Sequence, residues 1–303
     1  MTAPSPLAAA PPARPTVEAL IRYGASEFDR AGLAYGHGTD NAVDEAAALT
    51  FHALGLDHAD AAAAYSRTPD AAEVAQVLSL FARRIAERIP AAYLMGRMWF
   101  AGLEFEVDER VIVPRSPFAE LVAAHFRPWI DPVRVRRILD VGTGSGCIAI
   151  ACALAFPAAT VDAVDLSPAA LEVAARNVAR HGVGGRLALH LGDVYAPLGD
   201  RRYDVIVSNP PYVSDAEMDA LPQEYLREPD MALRAGRDGL DVVRRLLAGA
   251  PAHLEPGGLL AVEVGDSDER LAVAFPRLPF TWLEFEHGGG GVFVINREQL
   301  SAT

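Results

Sequence analysis

The chain has 303 residues, 51% of them hydrophobic, and a formal net charge of −13. The hydrophobic content is ample for a packed core, which excludes a wholly disordered chain. The negative charge argues against a protein that binds the phosphate backbone of nucleic acids, because Lys and Arg supply most of the affinity for phosphates. It suits a basic partner instead.

Neither the cysteines nor the N-terminus indicates export. Cys147 and Cys152 lie five residues apart in one apolar segment, which suits neither a disulfide on one helix nor a metal site, so we expect buried thiols, no metal and a reducing, cytoplasmic compartment. Residues 1–15 are rich in Ala and Pro and lack the basic start of a signal peptide, so a disordered tail is predicted. No run of about 18 apolar residues predicts a membrane span.

Residues 16–92 are predicted to form a small helical domain. Apolar residues recur at helical spacing over 16–31, 39–56 and 69–89. Nothing in these helices indicates chemistry, and we interpret the domain as a platform for substrate recognition. Over residues 93–113 the apolar period changes to two on either side of Gly102, which predicts a β-hairpin that joins the helical domain to the remainder, residues 114–303.

From residue 137 onward the pattern alternates between strand and helix. Seven apolar runs predict strands near 137–141, 160–165, 186–191, 203–208, 258–264, 281–286 and 292–295. Helical periodicity lies between them, near 145–156, 168–181, 240–253 and 268–274. This alternation predicts an α/β fold with a doubly wound, mainly parallel sheet.

A glycine-rich loop follows the first of these strands. Glycines stand at alternate positions and can bring the backbone close to a ligand, while the next helix begins with free N–H groups. Cys147 stands where a dinucleotide fingerprint would need its third glycine. The spacing instead resembles the cofactor loop of S-adenosylmethionine-dependent methyltransferases, and the candidate cofactor residues in it are Gly142, Thr143, Gly144, Ser145 and Gly146.

Two carboxylates end the next two strands. Asp165 terminates its strand, where it can accept hydrogen bonds from both ribose hydroxyls of a nucleoside. The competing interpretation is a carboxylate that only favours the start of the following helix. Asp193 can accept from an adenine amino group, with Val194 or Tyr195 lining the ring pocket.

The fourth strand ends in a stiff turn, Asn209-Pro210-Pro211-Tyr212. The prolines stop the strand and hold the backbone extended, at the sheet edge where ligands bind. The turn resembles the motif of enzymes that methylate planar nitrogens. The Asn209 side-chain oxygen and the Pro210 carbonyl can accept the two N–H groups of an amide or exocyclic amine, and Tyr212 can lie against its flat group. Such positioning can lower a barrier by roughly 7–11 kcal/mol.

From residue 16 onward the sequence is similar to the bacterial protein-glutamine N5-methyltransferases. Within them it most resembles the branch that modifies a glutamine of large-subunit ribosomal protein L-three. The segments that carry the likeness are 91–94 (AAYL), 111–117 (VIVPRSP), 221–225 (LPQEY) and 282–285 (WLEF).

The resemblance implies a Rossmann-like class I fold, S-adenosylmethionine as methyl donor, S-adenosylhomocysteine as product and a basic ribosomal protein as substrate. The sister branch, which methylates peptide release factors, has Pro-Arg-Pro-acidic-Thr-Glu where this chain has residues 114–120, so the ribosomal branch is favoured. Two other hypotheses stay open: an enzyme that methylates adenine N6, and a non-catalytic module that binds the cofactor. The negative net charge argues against the first, because that enzyme would bind nucleic acid.

Two features stay open at the sequence level. Arg115 is either a substrate contact or a solvated charge. The acidic segment 209–236 is either a lip that attracts a basic protein or a solvated loop.

Overall fold

The computed structural model describes residues 7–8, 11–57, 60–286 and 288–301. The described residues form two compact units, one within Met1–Met98 and Pro222–Arg227 and the other within Trp99–Leu221 and Glu228–Thr303. Much of the predicted tail lies outside the described residues. Of the part that is described, Leu7 packs against the core of the first unit and the Ala8 N–H donates to Glu27 at 2.6 Å.

The first unit is helical, as the sequence predicts. Side chains of Thr16, Asn41 and Asp70 accept backbone N–H groups at the starts of its three long helices, and Gly32 and Gly55 end two of them in the left-handed conformation. Its helices are α1 (Val17–Ala31), α2 (Ala42–Leu54), α3 (Ala61–Ala64), α4 (Ala71–Glu87) and α5 (Ala91–Met95).

A buried ion network holds this unit together at Arg84, which is fully buried. Its guanidinium donates to Glu45 at 2.5 Å, to Glu224 at 3.3 Å and to the Ala34 carbonyl at 2.9 Å. Buried charges persist only with such partners, because an unpaired one carries a large desolvation cost. Glu224, from the segment 221–225 that carries the family likeness, is therefore a core residue of the first unit.

The predicted β-hairpin is confirmed within narrower bounds than 93–113: its strands are β1 (Arg97–Phe100) and β2 (Leu103–Glu106), and residues 93–95 belong to α5 instead. The second unit, which begins at Trp99 within β1, continues with α6 (Phe118–Ala123). The sheet contains β3 (Arg137–Val141), β4 (Thr160–Asp165), β5 (Leu187–Leu191), β6 (Tyr203–Ser208), β7 (Leu254–Glu263), β8 (Thr281–Trp282) and β9 (Val292–Asn296). Its helices are α7 (Cys147–Ala155), α8 (Pro168–Arg180), α9 (Asp215–Met218), α10 (Asp230–Leu233), α11 (Asp241–His253), α12 (Asp268–Ala274) and α13 (Arg297–Ser301).

The seven strands lie in the order β5-β4-β3-β6-β7-β9-β8, with β9 antiparallel to both of its neighbours. The prediction of a seven-stranded α/β sheet is thus confirmed. The strand predicted over 281–286 is shorter than expected, because β8 is an edge strand that pairs only Thr281 and Trp282 with β9. Cys147 and Cys152 lie buried on α7 as free thiols.

The strand order places a switch point between β3 and β6. The chain moves from β3 outward to β4 and β5, then returns to the other side of β3 with β6. The last residues of the two strands, Val141 and Ser208, are register partners, and the Ser208 hydroxyl donates to the Val141 carbonyl at 2.7 Å. Ligands of open α/β sheets bind at this position. In the described part of the chain, no helix is long and apolar enough to cross a membrane.

Candidate active site

The glycine loop leaves β3 in a conformation that other residues adopt only with strain. Gly142, Gly144 and Gly146 have φ of 75°, 55° and 81°, in the left-handed region that favours glycine. A Cβ on Gly146 would also lie 3.3 Å from the Cβ of Ala174 on α8. The three glycines therefore let the backbone turn sharply and pack closely beside the switch point.

A buried carboxylate, Asp140, braces this loop from β3. Its Oδ2 accepts from the Thr143 hydroxyl at 2.6 Å and from the Ala149 N–H at 3.1 Å. Burial raises the pKa of Asp140 to about 7. Among the described residues its Oδ1 has no hydrogen-bond partner, which is uncommon for a buried acceptor.

Asp165 stands at the end of β4 and binds the glycine loop on the side opposite Asp140. Its Oδ2 accepts the Gly144 N–H and its Oδ1 accepts the Ser167 N–H, both at 2.8 Å. Burial raises the pKa of this carboxyl. Because a carboxylate oxygen has two lone pairs, each oxygen keeps acceptor capacity for a ligand. Asp165 thus holds both Ser167, the N-cap residue of α8, and the glycine loop.

Asp193 and Val194 follow β5. The half-exposed carboxylate of Asp193 accepts from Arg245 of α11 through both oxygens, at 2.5 Å each. Val194 is buried and has a φ of 51°, a strained conformation for a β-branched residue. Strain of this kind clusters at ligand sites.

These elements border a cavity of about 290 Å³ in the second unit. It brings together seven predicted site residues, namely Gly142, Gly144, Asp165, Asp193, Val194, Asn209 and Pro211. The other predicted residues do not border it: Arg115, Thr143, Ser145, Gly146, Pro210 and Tyr212. Side chains that the sequence did not indicate also border it, among them Arg110, Ile112, Leu166, Met231, Val242 and Arg245.

The turn after β6 is held tightly at Tyr212. A Cβ on Gly239 would lie 2.3 Å from the Tyr212 carbonyl oxygen, and one on Gly265 would lie 2.6 Å from the tyrosine ring. The Ser267 hydroxyl donates to the same carbonyl at 3.2 Å. Burial raises the pKa of the Tyr212 hydroxyl well above its usual range, so the ring is a neutral phenol at physiological pH.

Arg115 lies in an ion pair, so the solvated-charge interpretation is wrong. Its guanidinium donates to both oxygens of Glu228, at 2.5 and 2.7 Å, and Glu228 also accepts the Val113 N–H at 2.9 Å. Glu228 is 4% exposed. A substrate contact by Arg115 stays a prediction.

The acidic segment 209–236 also needs correction, because most of its charge is already paired. Five of its six carboxylates form ion pairs: Asp215 and Asp230 with Arg234, Glu217 with Arg270, Glu224 with Arg84 and Arg88, and Glu228 with Arg115. Among the described residues only the sixth, Asp219, has no ion pair. The segment is therefore a poor source of attraction for a basic protein.

Asn177 on α8 is a loop anchor that sequence reasoning missed. Its side chain is fully buried. It accepts from the Glu106 N–H at 2.8 Å and donates to the Glu106 and Ser145 carbonyls, both at 2.9 Å. One amide thereby joins strand β2 to the glycine loop.

Replacing Asn177 by Ala is expected to lower the free energy of unfolding by about 3 kcal/mol, because the buried Ser145 carbonyl and the half-buried Glu106 N–H and carbonyl all lose their partner. Urea titration measures the change. Arg176→Ala is the matched control on the same helix: its ion pairs with Glu106 and Asp108 are 41% exposed on the arginine side and are expected to contribute under about 1 kcal/mol. Equal losses in the two variants would contradict the anchoring role.

The sheet order and the glycine loop at its switch point are typical of the S-adenosylmethionine-dependent methyltransferases. Residues 19–96 match the PrmC N-terminal domain family, and residues 120–238 match the methyltransferase small domain family. The hMettl16 catalytic domain, in a crystal structure with the MAT2A 3'UTR hairpin 1, is similar in fold, with a TM-score of 0.50 at 17% identity over 76% of this chain and 82% of that one.

Two relatives that match over nearly their whole length show to which family of methyltransferases the chain belongs. The ribosomal protein uL3 glutamine methyltransferase of Xanthomonas campestris is 50% identical over 288 residues, covering 95% of this chain and 93% of that protein. The protein of the same name from Bordetella pertussis is 50% identical over 289 residues, covering 94% and 96%. The chain belongs to this family of protein-glutamine methyltransferases, which confirms the resemblance and the class I fold predicted from sequence.

Proposed function

We propose that the chain transfers a methyl group from S-adenosylmethionine to the side-chain amide nitrogen (N5) of a glutamine in ribosomal protein uL3. The observation that carries the proposal is the turn 209–212, which leaves β6 at the switch point beside the glycine loop. The relatives at 50% identity, named for uL3, support the choice of substrate.

The residues around the cavity fit S-adenosylmethionine. The left-handed glycines allow close approach of a ligand, and Asp165 keeps acceptor capacity for ribose hydroxyls. We propose that the loop 142–146 holds the cofactor together with Asp165, Asp193, Val194 and Asn209. When bound, this cofactor supplies a methyl group already activated by a sulfonium charge, so S-adenosylhomocysteine is the expected product and the proposal needs no metal.

The substrate amide needs positioning because its nitrogen is a poor nucleophile, with a lone pair delocalised into the carbonyl. In the proposal the Asn209 side-chain oxygen and the Pro210 carbonyl accept its two N–H groups, and Pro211 keeps the turn extended. Tyr212 lies against the flat amide. As a neutral phenol it is no base, and the displaced amide proton passes to solvent.

The partner proposed is a basic ribosomal protein. The net charge of −13 favours such a partner over a nucleic acid, although the paired carboxylates of segment 209–236 remove the local attraction that the sequence indicated. The cytoplasmic location predicted from the cysteines stays a prediction.

The proposal is tested by incubating the enzyme with labelled S-adenosylmethionine and uL3 purified from cells that lack the activity. We expect one labelled glutamine in uL3, located by mass spectrometry, and no label when that glutamine is replaced by Ala. Undermodified release factor and ribosomal RNA are offered in parallel. Label on release factor alone would move the assignment to the sister branch, and label on RNA alone would support adenine methylation.

A further inference from the structure

A buried carboxylate, Glu263, lies behind the turn and has no part in the function proposed above. It ends β7 and is 6% exposed. Its Oε2 accepts from the Ser116 hydroxyl at 2.5 Å, and its Oε1 lies 3.5 Å from the Tyr212 hydroxyl oxygen. One carboxylate thus touches the only polar atom of the tyrosine side chain.

The contacts around Tyr212 act mainly on its backbone and on one face of its ring. Gly239 and Ser267 fix its backbone carbonyl, and Gly265 supplies a flat backbone surface under the ring. These contacts fix the position of the residue, but a glycine surface does not determine the direction of the hydroxyl. A hydrogen bond determines that direction, because it weakens steeply as the donor–hydrogen–acceptor angle departs from linear.

We propose that Glu263, anchored by Ser116, is a positioning residue that orients the Tyr212 ring for methyl transfer. The inference rests on the proposed role of the turn in holding the substrate amide. The Tyr212–Glu263 separation of 3.5 Å is longer than a strong O–H···O bond of about 2.7 Å. Contacts of this kind often tighten when substrate binds, and a small change in the Tyr212 χ1 angle, which moves the hydroxyl oxygen, would close this one.

The charge state of Glu263 gives the proposal a measurable signature. Burial raises the pKa of its carboxyl to about 7, with the Arg115 guanidinium opposing the shift. Tyr212 and Ser116 are its hydrogen-bonding neighbours, and Arg115 itself is paired with Glu228. The carboxylate accepts from both hydroxyls, whereas the protonated acid places its own proton on one oxygen. Turnover is therefore expected to rise with pH through about 7 in the wild type.

The test uses the full-length enzyme, uL3 and S-adenosylmethionine. Glu263→Gln is expected to lower kcat about 10- to 100-fold, with KM for uL3 and cofactor affinity within about twofold, and to flatten the rise of kcat near pH 7. Ser116→Ala should lower kcat less, because it frees the carboxylate without removing it. Glu298→Gln, an exposed carboxylate that accepts the Gly257 N–H, is the matched control and should match the wild type.

A double-mutant cycle with Tyr212→Phe separates positioning from general destabilisation. If Glu263 acts through the tyrosine hydroxyl, Glu263→Gln costs under about twofold in kcat once that hydroxyl is gone. The proposal would be overturned if the kcat losses of Glu263→Gln and Tyr212→Phe multiplied in the double variant. Full activity of Glu263→Gln alone would overturn it as well. Thermal unfolding checks that Glu263→Gln folds, and if it does not, Ser116→Ala completes the cycle. An active Asn209→Ala variant would instead refute the proposed role of the turn. The double-mutant cycle does not contain that variant, so the two proposals can fail separately.

Discussion

Asn209→Ala is expected to reduce turnover by at least about 10²-fold while S-adenosylmethionine binds within about threefold of wild type, because the loop 142–146, Asp165, Asp193 and Val194 still hold it. The change removes the side-chain oxygen proposed to accept a substrate N–H at the end of β6. Without it the amide nitrogen is no longer aimed at the methyl group, and misplacement by about 1 Å alone can cost 10²-fold. Single-turnover methylation of uL3 measures the loss, and calorimetry measures cofactor affinity.

Asn296→Ala is a matched control for this prediction. Asn296 ends β9 in the same unit, and its side chain accepts the Gln299 N–H rather than bordering the cavity. It is expected to lose about 1 kcal/mol of stability as a lost helix cap and to keep its turnover. If Asn209→Ala turned over at the wild-type rate, the clamp mechanism would be wrong.

The parallel core was predictable because β3, β6 and the second half of β7 are buried almost throughout and form short, nearly continuous apolar runs. Strand β4 begins and ends where the sequence predicts, at Thr160 and Asp165. The edge is different: β8 pairs over two residues because only β9 adjoins it, and an apolar run does not reveal how many of its residues find a partner.

The predicted site residues share a local signal, namely glycines, prolines or a carboxylate directly after a strand. The residues that the sequence did not indicate lack such a local signal. Asn177 reaches strand β2 71 positions away, and Ser116 meets Glu263 147 positions away. A Ser or Asn with such a distant partner looks, in one sequence, like any other polar residue. Arg115 was left open for the same reason, because its partner Glu228 seemed to be part of an exposed acidic loop.

Asp165→Asn is expected to weaken S-adenosylmethionine binding about 10²-fold. The carboxamide keeps the shape of the side chain but has one acceptor oxygen instead of two, and its NH₂ group would face the N–H of either Gly144 or Ser167. Charge-assisted hydrogen bonds contribute about 1.5–3 kcal/mol each, and a loss of about 2.7 kcal/mol corresponds to 10²-fold in Kd. Equilibrium binding of labelled cofactor measures the change.

Asp162→Asn distinguishes this effect from damage to β4. Asp162 lies on the same strand but does not border the cavity; its carboxylate accepts from the Tyr203 hydroxyl at 2.9 Å and contacts the His190 Nε2 at 2.6 Å. This variant is expected to lose stability and to keep its cofactor affinity within about twofold. Equal loss of affinity in both variants would assign the effect to the strand. Loss confined to Asp165→Asn would assign it to the two acceptor oxygens of Asp165, of which Oδ2 accepts from the glycine loop and Oδ1 from Ser167. Two acceptor oxygens are what a ribose-binding carboxylate requires.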